Sequence, residues 1–219
     1  MDFYPQLQQE TTDARAALLA TPLIEAALTG RVNRRHYISF LSRAFHHVKH
    51  TVPLLMACGA RLPDRQEWLR SAIAHYIEEE IGHHEWILND IAAAGGDADA
   101  VRASRPDFDT DLMVAYAYDT VMRRNPVGFF GMVYVLEGTS VSLASNAASA
   151  LQRALDLPSG AFTYLSSHGA LDVEHIGDFE RLVNRLDTAE DRAAVVSNAQ
   201  TFFRLYGNVL GGIDIEENP

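Results

Sequence analysis

Three side chains between Ser166 and Phe179 constrain this chain more than any other feature. They are His168, Asp172 and His175, spaced His-x3-Asp-x2-His. On an α-helix, residues three, four and seven apart share one face. Two imidazoles and one carboxylate would then stack over two turns and point the same way. Such a face is costly to aim at an apolar core unless something charged receives it. A divalent metal is one answer, and imidazole with carboxylate suits iron, manganese or zinc. The plain alternative is a solvated face that carries the same residues without chemistry.

The surrounding chain supplies the helices such a face would need. Nearly every segment has helical periodicity, and no stretch alternates convincingly as a strand. The pattern predicts a helix near the start, with Phe3, Leu7, Ala14, Ala17 and Leu18 on its apolar face. Thr21-Pro22 reads as a cap with proline in the first turn. A long helix is expected over 33–58, kinked by Pro53. Another runs over 63–94 and stops at Gly95-Gly96. Residues 97–108 read as a loop. Helices follow over 110–123 and 127–155, then one holding the His-x3-Asp-x2-His face and ending near Leu186, then one capped within Asp187-Thr188-Ala189-Glu190 and running to about Leu210. The expectation is all-α, a single domain over 1–219 built as a bundle of about seven helices.

Two further stretches carry residues of the same kind. In His75-Tyr-Ile-Glu-Glu-Glu-Ile-Gly-His-His-Glu-Trp86, Glu79 is four before His83 and Glu80 is three before it. Either pair puts a carboxylate and an imidazole on one face of a straight helix. Glu-x-x-His is the spacing found in bundle-type di-iron carboxylate proteins. Gly82 reads as room for a close approach. Glu78, Glu85 and His84 read as outward. Glu137 stands alone among Val133, Val135, Leu136 and Ala144, and a lone glutamate in such a helix needs a partner. Three helices would thus offer Glu79 or Glu80, His83, Glu137, His168, Asp172 and His175. Six ligands suit two metals with open positions. A structural zinc site would want four ligands, often with cysteine. Iron or manganese is the better match.

These residues resemble those of the heme-oxygenase-like di-iron oxidases and oxygenases, relatives of the thiaminase II and pyrroloquinoline-quinone synthase families. The resemblance runs from Pro22 to about Leu186. It rests chiefly on His168-x3-Asp172-x2-His175, with Glu137 upstream and His83 before that. Some members carry the first glutamate seven before the histidine, where this chain has Tyr76. The resemblance implies a heme-oxygenase-like bundle. It also implies dioxygen activation at two iron ions, to oxidise or cleave a small organic substrate such as an amino acid, a fatty acid or an aromatic compound. An external reductant and a homodimer would be consistent with it.

Composition narrows the rivals. A net charge of −11 argues against nucleic acid or an anionic membrane as partner. No run is long and apolar enough for a membrane span, so a cytoplasmic location is expected. The single cysteine, Cys58, follows Leu54-Leu55-Met56-Ala57 and reads as a buried, inert thiol. It would be the only nucleophile for a metal-free, thiaminase-like enzyme. A heme protein would need one axial imidazole rather than six converging ligands. A non-catalytic metal- or ligand-binding protein would share the same inward residues. His46, His47 and His50 read as a polar helix face.

Overall fold

The computed structural model describes residues 2–216, with the side chains of 141–149, 153 and 168–175 outside the description. Helix is the only regular structure among the described residues, in twelve α-helices and three short 3-10 turns. The first six are α1 (Phe3–Glu10), α2 (Thr12–Leu19), α3 (Pro22–Leu28), α4 (Arg34–Val48), α5 (Thr51–Arg61) and α6 (Glu67–Glu80). The others are α7 (His83–Ala93), α8 (Ala98–Ala103), α9 (Phe108–Arg123), α10 (Phe129–Leu155), α11 (Thr163–Asn184) and α12 (Ala189–Gly211). None among the described residues is long and apolar enough to cross a membrane.

The count exceeds the expected seven because periodicity does not register short interruptions. The helix expected over 33–58 is two, broken at Lys49-His50 rather than kinked at Pro53. Proline lacks the N–H that would bond the carbonyl four residues back, and its ring crowds that carbonyl. Four before Pro53 is Lys49, where α4 stops. The helix expected over 63–94 breaks at Ile81, which is extended, and Gly82, which has φ +92°. Within the loop expected over 97–108, Asp97 accepts the Ala100 N–H at 2.9 Å and caps α8.

Three long helices form the wall on which the rest is mounted: α10 packs against both α11 and α12. Gly131 makes the α10–α12 approach possible, since a Cβ there would fall 2.6 Å from the Ala199 nitrogen and the Val195 oxygen. Phe129, Phe130, Phe179 and Phe202 are fully buried in the shared core. Across from this wall, α4 and α7 run antiparallel. Phe45 and His84 lie together, ring centroids 6.4 Å apart, while Ile38 and Arg34 meet Gly96 and Gly95 at the other end.

The start of α11 is fixed from α7. The two Asp90 oxygens accept the backbone N–H groups of Thr163 at 3.1 Å and Tyr164 at 2.8 Å. This satisfies donors that the first turn of a helix otherwise leaves orphaned. Burial pushes the Asp90 carboxyl up, against the pull of those N–H donors.

Candidate metal centre

The break between α6 and α7 builds the first part of the site. On one continuous helix Glu79 and His83 would share a face. The extended Ile81 and the left-handed Gly82 end that helix and restart it in a new direction. Across this break Glu80 still meets His83, with Nδ1 and Oε2 3.3 Å apart. The two side chains are only 3% (His83) and 9% (Glu80) exposed. Glu79 turns instead toward His75 and a surface groove with Trp68, Arg181 and Arg185. Gly82 has a backbone role: a Cβ there would meet nothing within 4 Å, so its positive φ rather than close packing calls for glycine.

Glu80 opens onto a cavity of about 170 Å3, lined mostly by apolar side chains from α3, α4, α10 and α12. Glu137 lines the same cavity from α10. Next along α10, Gly138 faces α11, where a Cβ on it would lie 4.0 Å from the Ile176 side chain. The α11 backbone thus passes beside Glu137. His168, Asp172 and His175 belong to that helix, but their side chains lie outside the described residues. Among the described residues, no three His, Cys, Asp or Glu side chains gather into a metal-sized cluster. Glu80, His83 and Glu137 are the part of the expected set the structure describes near the cavity, and Glu79 stands apart from them.

His46, His47 and His50 do not form one solvated helix face. His46 is buried, with Nε2 2.9 Å from Ser104 Oγ and Nδ1 3.3 Å from Lys49 Nζ. His50 Nδ1 lies 3.1 Å from the Tyr118 hydroxyl. Burial and the neighbouring Lys49 charge push both imidazoles down, toward the neutral form. His47 is buried at the cavity wall, edge-on to Tyr206 with ring centroids 5.9 Å apart. Tyr134 stacks on Phe179 and its hydroxyl lies 3.4 Å from Thr11 Oγ1, away from the cavity lining.

His36 is a cavity residue that helical periodicity does not single out. The available signal is Asn33-x-x-His36 at the start of α4, a polar pair at the spacing of a reciprocal cap. Cys58 is buried, its thiol pushed up to about 12 by burial, and its Sγ–H donates to the Pro126 carbonyl at 3.3 Å.

The fold has close structural counterparts. A domain of unknown function with a heme oxygenase-like fold from Shewanella denitrificans matches with TM-score 0.85 and 25% identity, covering 97% of this chain and 92% of that one. The heme oxygenase of Leptospira interrogans matches at TM-score 0.78 and 13% identity, over 97% and 100% of the two chains. A TenA homologue from Pseudomonas syringae matches at TM-score 0.77 and 11% identity, over 95% and 90%. The two more distant structures speak for the fold alone. No curated protein matches the chain. The family model of the iron-containing redox enzymes matches residues 38–207, which span the cavity helices from α4 to α12, and the chain belongs to that family.

Proposed function

We propose that the protein is a non-heme di-iron oxidase or oxygenase, with manganese as the alternative metal, acting with dioxygen on a small organic substrate. Its metal ligands would be Glu80, His83, Glu137, His168, Asp172 and His175. The observation that carries this reading is the pair of carboxylates, Glu80 and Glu137, that reach one largely apolar cavity from different helices. Carboxylates in such a cavity lose hydration, and a bound cation would offset that cost. The buried His83, against Glu80, adds an imidazole, which completes a donor set that suits iron.

Bound iron would supply redox chemistry toward dioxygen. The chain's part is positional. Glu80 and Glu137 would hold the metals at one end of the cavity, and the apolar walls would keep bulk water from the oxidising site. Asp90 would hold α11, and its ligands with it, in register with α7.

A heme reading fits less well, although heme oxygenases share the fold. A cavity of about 170 Å3 is near the roughly 150 Å3 that houses one benzene molecule, and a heme macrocycle is far larger. A metal-free enzyme with a cysteine nucleophile is disfavoured by Cys58, whose buried, hydrogen-bonded thiol is held in its unreactive form.

The test is iron content after anaerobic reconstitution with ferrous iron, on the wild type, Glu137→Ala and Asp172→Ala. About two irons per chain in the wild type, halved or lost in both variants, is the expected result for a carboxylate-bridged pair. Iron absent from the wild type, or unchanged in both variants, overturns the reading. Oxygen consumption by the loaded protein on substrate addition separates an oxidase from a metal-binding protein.

A further inference from the structure

The cavity has two unlike ends. The α4–α7 pairing puts Phe45 beside His84, close to the Glu80–His83 pair, and puts Ile38 beside Gly96 at the other end. His36 belongs to that second end. Along α4 it stands roughly 16 Å from His47, at 1.5 Å per helical residue, and both residues line the same cavity.

His36 is 5% exposed. Its Nδ1 accepts the Asn33 backbone N–H at 3.3 Å, while Asn33 Oδ1 accepts the His36 backbone N–H at 2.9 Å. A neutral imidazole has one donor and one acceptor nitrogen, so this pattern assigns the proton to Nε2. Nε2 is buried and has no hydrogen-bond partner among the described residues. Nearby polar groups are engaged elsewhere: the Tyr37 hydroxyl donates to the Ala161 carbonyl at 2.7 Å, and Asp90 holds the start of α11. Leu23, Ile24, Leu151 and Leu165 also line the cavity and offer no side-chain acceptor. Buried donors are nearly always satisfied, and an exception calls for a reason. Here the reason would be a ligand.

We infer that His36 Nε2–H anchors the far end of the substrate, which is a slender, mostly apolar molecule with an uncharged oxygen acceptor at the end remote from the metals. The remote placement rests on the di-iron reading of the near end; the anchor itself does not. Slenderness follows from shape: about 170 Å3 distributed along α4 from His36 to His47 leaves the cross-section of a chain rather than of a fused ring system. The acceptor would be a carbonyl, ester or hydroxyl oxygen, because Nδ1 is already committed to Asn33 and the ring offers one neutral donor.

The experiment is an NMR titration of the metal-free protein with methyl hexanoate, an ester with an apolar tail. The wild type, His36→Gln and His36→Leu are compared, with circular dichroism confirming their fold. Glutamine at this cap position accepts the Asn33 N–H and still has an amide to donate. It should bind within about threefold of wild type, while leucine should bind about fivefold or more weakly, as for loss of one neutral hydrogen bond. The wild-type His36 ring signals should move with ester concentration. Equal or tighter binding by His36→Leu, which an apolar tube alone would give, overturns the inference. So does an unmoved His36 signal, which decides the matter even if the leucine variant does not fold. Because no metal is present, failed iron reconstitution leaves the anchor standing, and a failed titration leaves the metal centre standing.

Discussion

Two acid–imidazole pairs sit within nine residues of each other and have opposite fates. His75 and Glu79 approach to 3.4 Å, and Glu80 and His83 to 3.3 Å. Their chemistry and separation are nearly the same. The first pair follows one continuous helix and opens to solvent, with His75 64% and Glu79 32% exposed. The second spans a helix break and is buried at the cavity. An exposed pair of this kind contributes about 0–1 kcal/mol and is screened by salt. A buried pair is costly unless further charge compensates it, which is why such pairs gather at functional sites. Motif spacing alone does not separate the two; the direction of the chain after Glu80 does.

The sharpest way to break this contrast is to remove each acid in turn. Glu80→Ala should lose half or more of the iron taken up on reconstitution. Glu79→Ala should keep nearly all of it, because its side chain faces the outer groove. Removing even an outer partner of a ligand typically costs about 10–100-fold in metal affinity, so a ligand itself should cost at least as much. Iron loss confined to Glu79→Ala would reverse the assignment.

A second experiment acts from the far end of α7. Asp90→Ala strips two backbone N–H groups of α11 of their acceptor. Loss of a cap and of buried hydrogen bonds should cost roughly 1–3 kcal/mol, read by chemical denaturation of the metal-free protein. If α11 carries half of the ligands, iron uptake should fall as well, although Glu80 and His83 are untouched. Normal iron uptake in a destabilised variant would detach α11 from the centre.

The all-helical fold was legible because an apolar stripe repeating every three to four residues survives in nearly every segment. The breaks were not. Pro53 acts four residues before itself, so its position marks the wrong place to look. Gly82 inside a helical pattern costs only about 1 kcal/mol, so nothing in the flanking residues requires the helix to stop there. That single turn sets which of Glu79 and Glu80 meets His83, a choice that straight-helix spacing leaves open. His36 was hidden for another reason: its importance depends on a nitrogen left over after capping, which is a property of the folded hydrogen-bond network. Gly82→Ala tests the turn directly. A non-glycine residue in the left-handed region costs roughly 1–2 kcal/mol, or about 2–4 °C of Tm per kcal/mol for a chain of this size. If the turn relaxes toward helix, α7 leaves α6 in a new direction, the Glu80–His83 pair no longer faces the cavity as it does now, and iron content falls too. A stability loss with full iron would mean the pair is held by packing and not by the turn.

The smallest expected effect is the most informative control. His75→Ala removes the imidazole of the exposed pair and leaves α6 with a better helix former. Stability should change by less than about 0.5 kcal/mol, as for most surface substitutions. Iron content should match wild type at low and high salt. The groove around His75 also holds Arg185, whose guanidinium lies over the Trp68 ring at 4.1 Å from its centroid. Glu79 therefore keeps basic neighbours when His75 is gone. A measurable loss of iron in His75→Ala would show that the outer groove communicates with the cavity through α6. The two pairs would then be parts of one network, and the contrast drawn from their burial would fail.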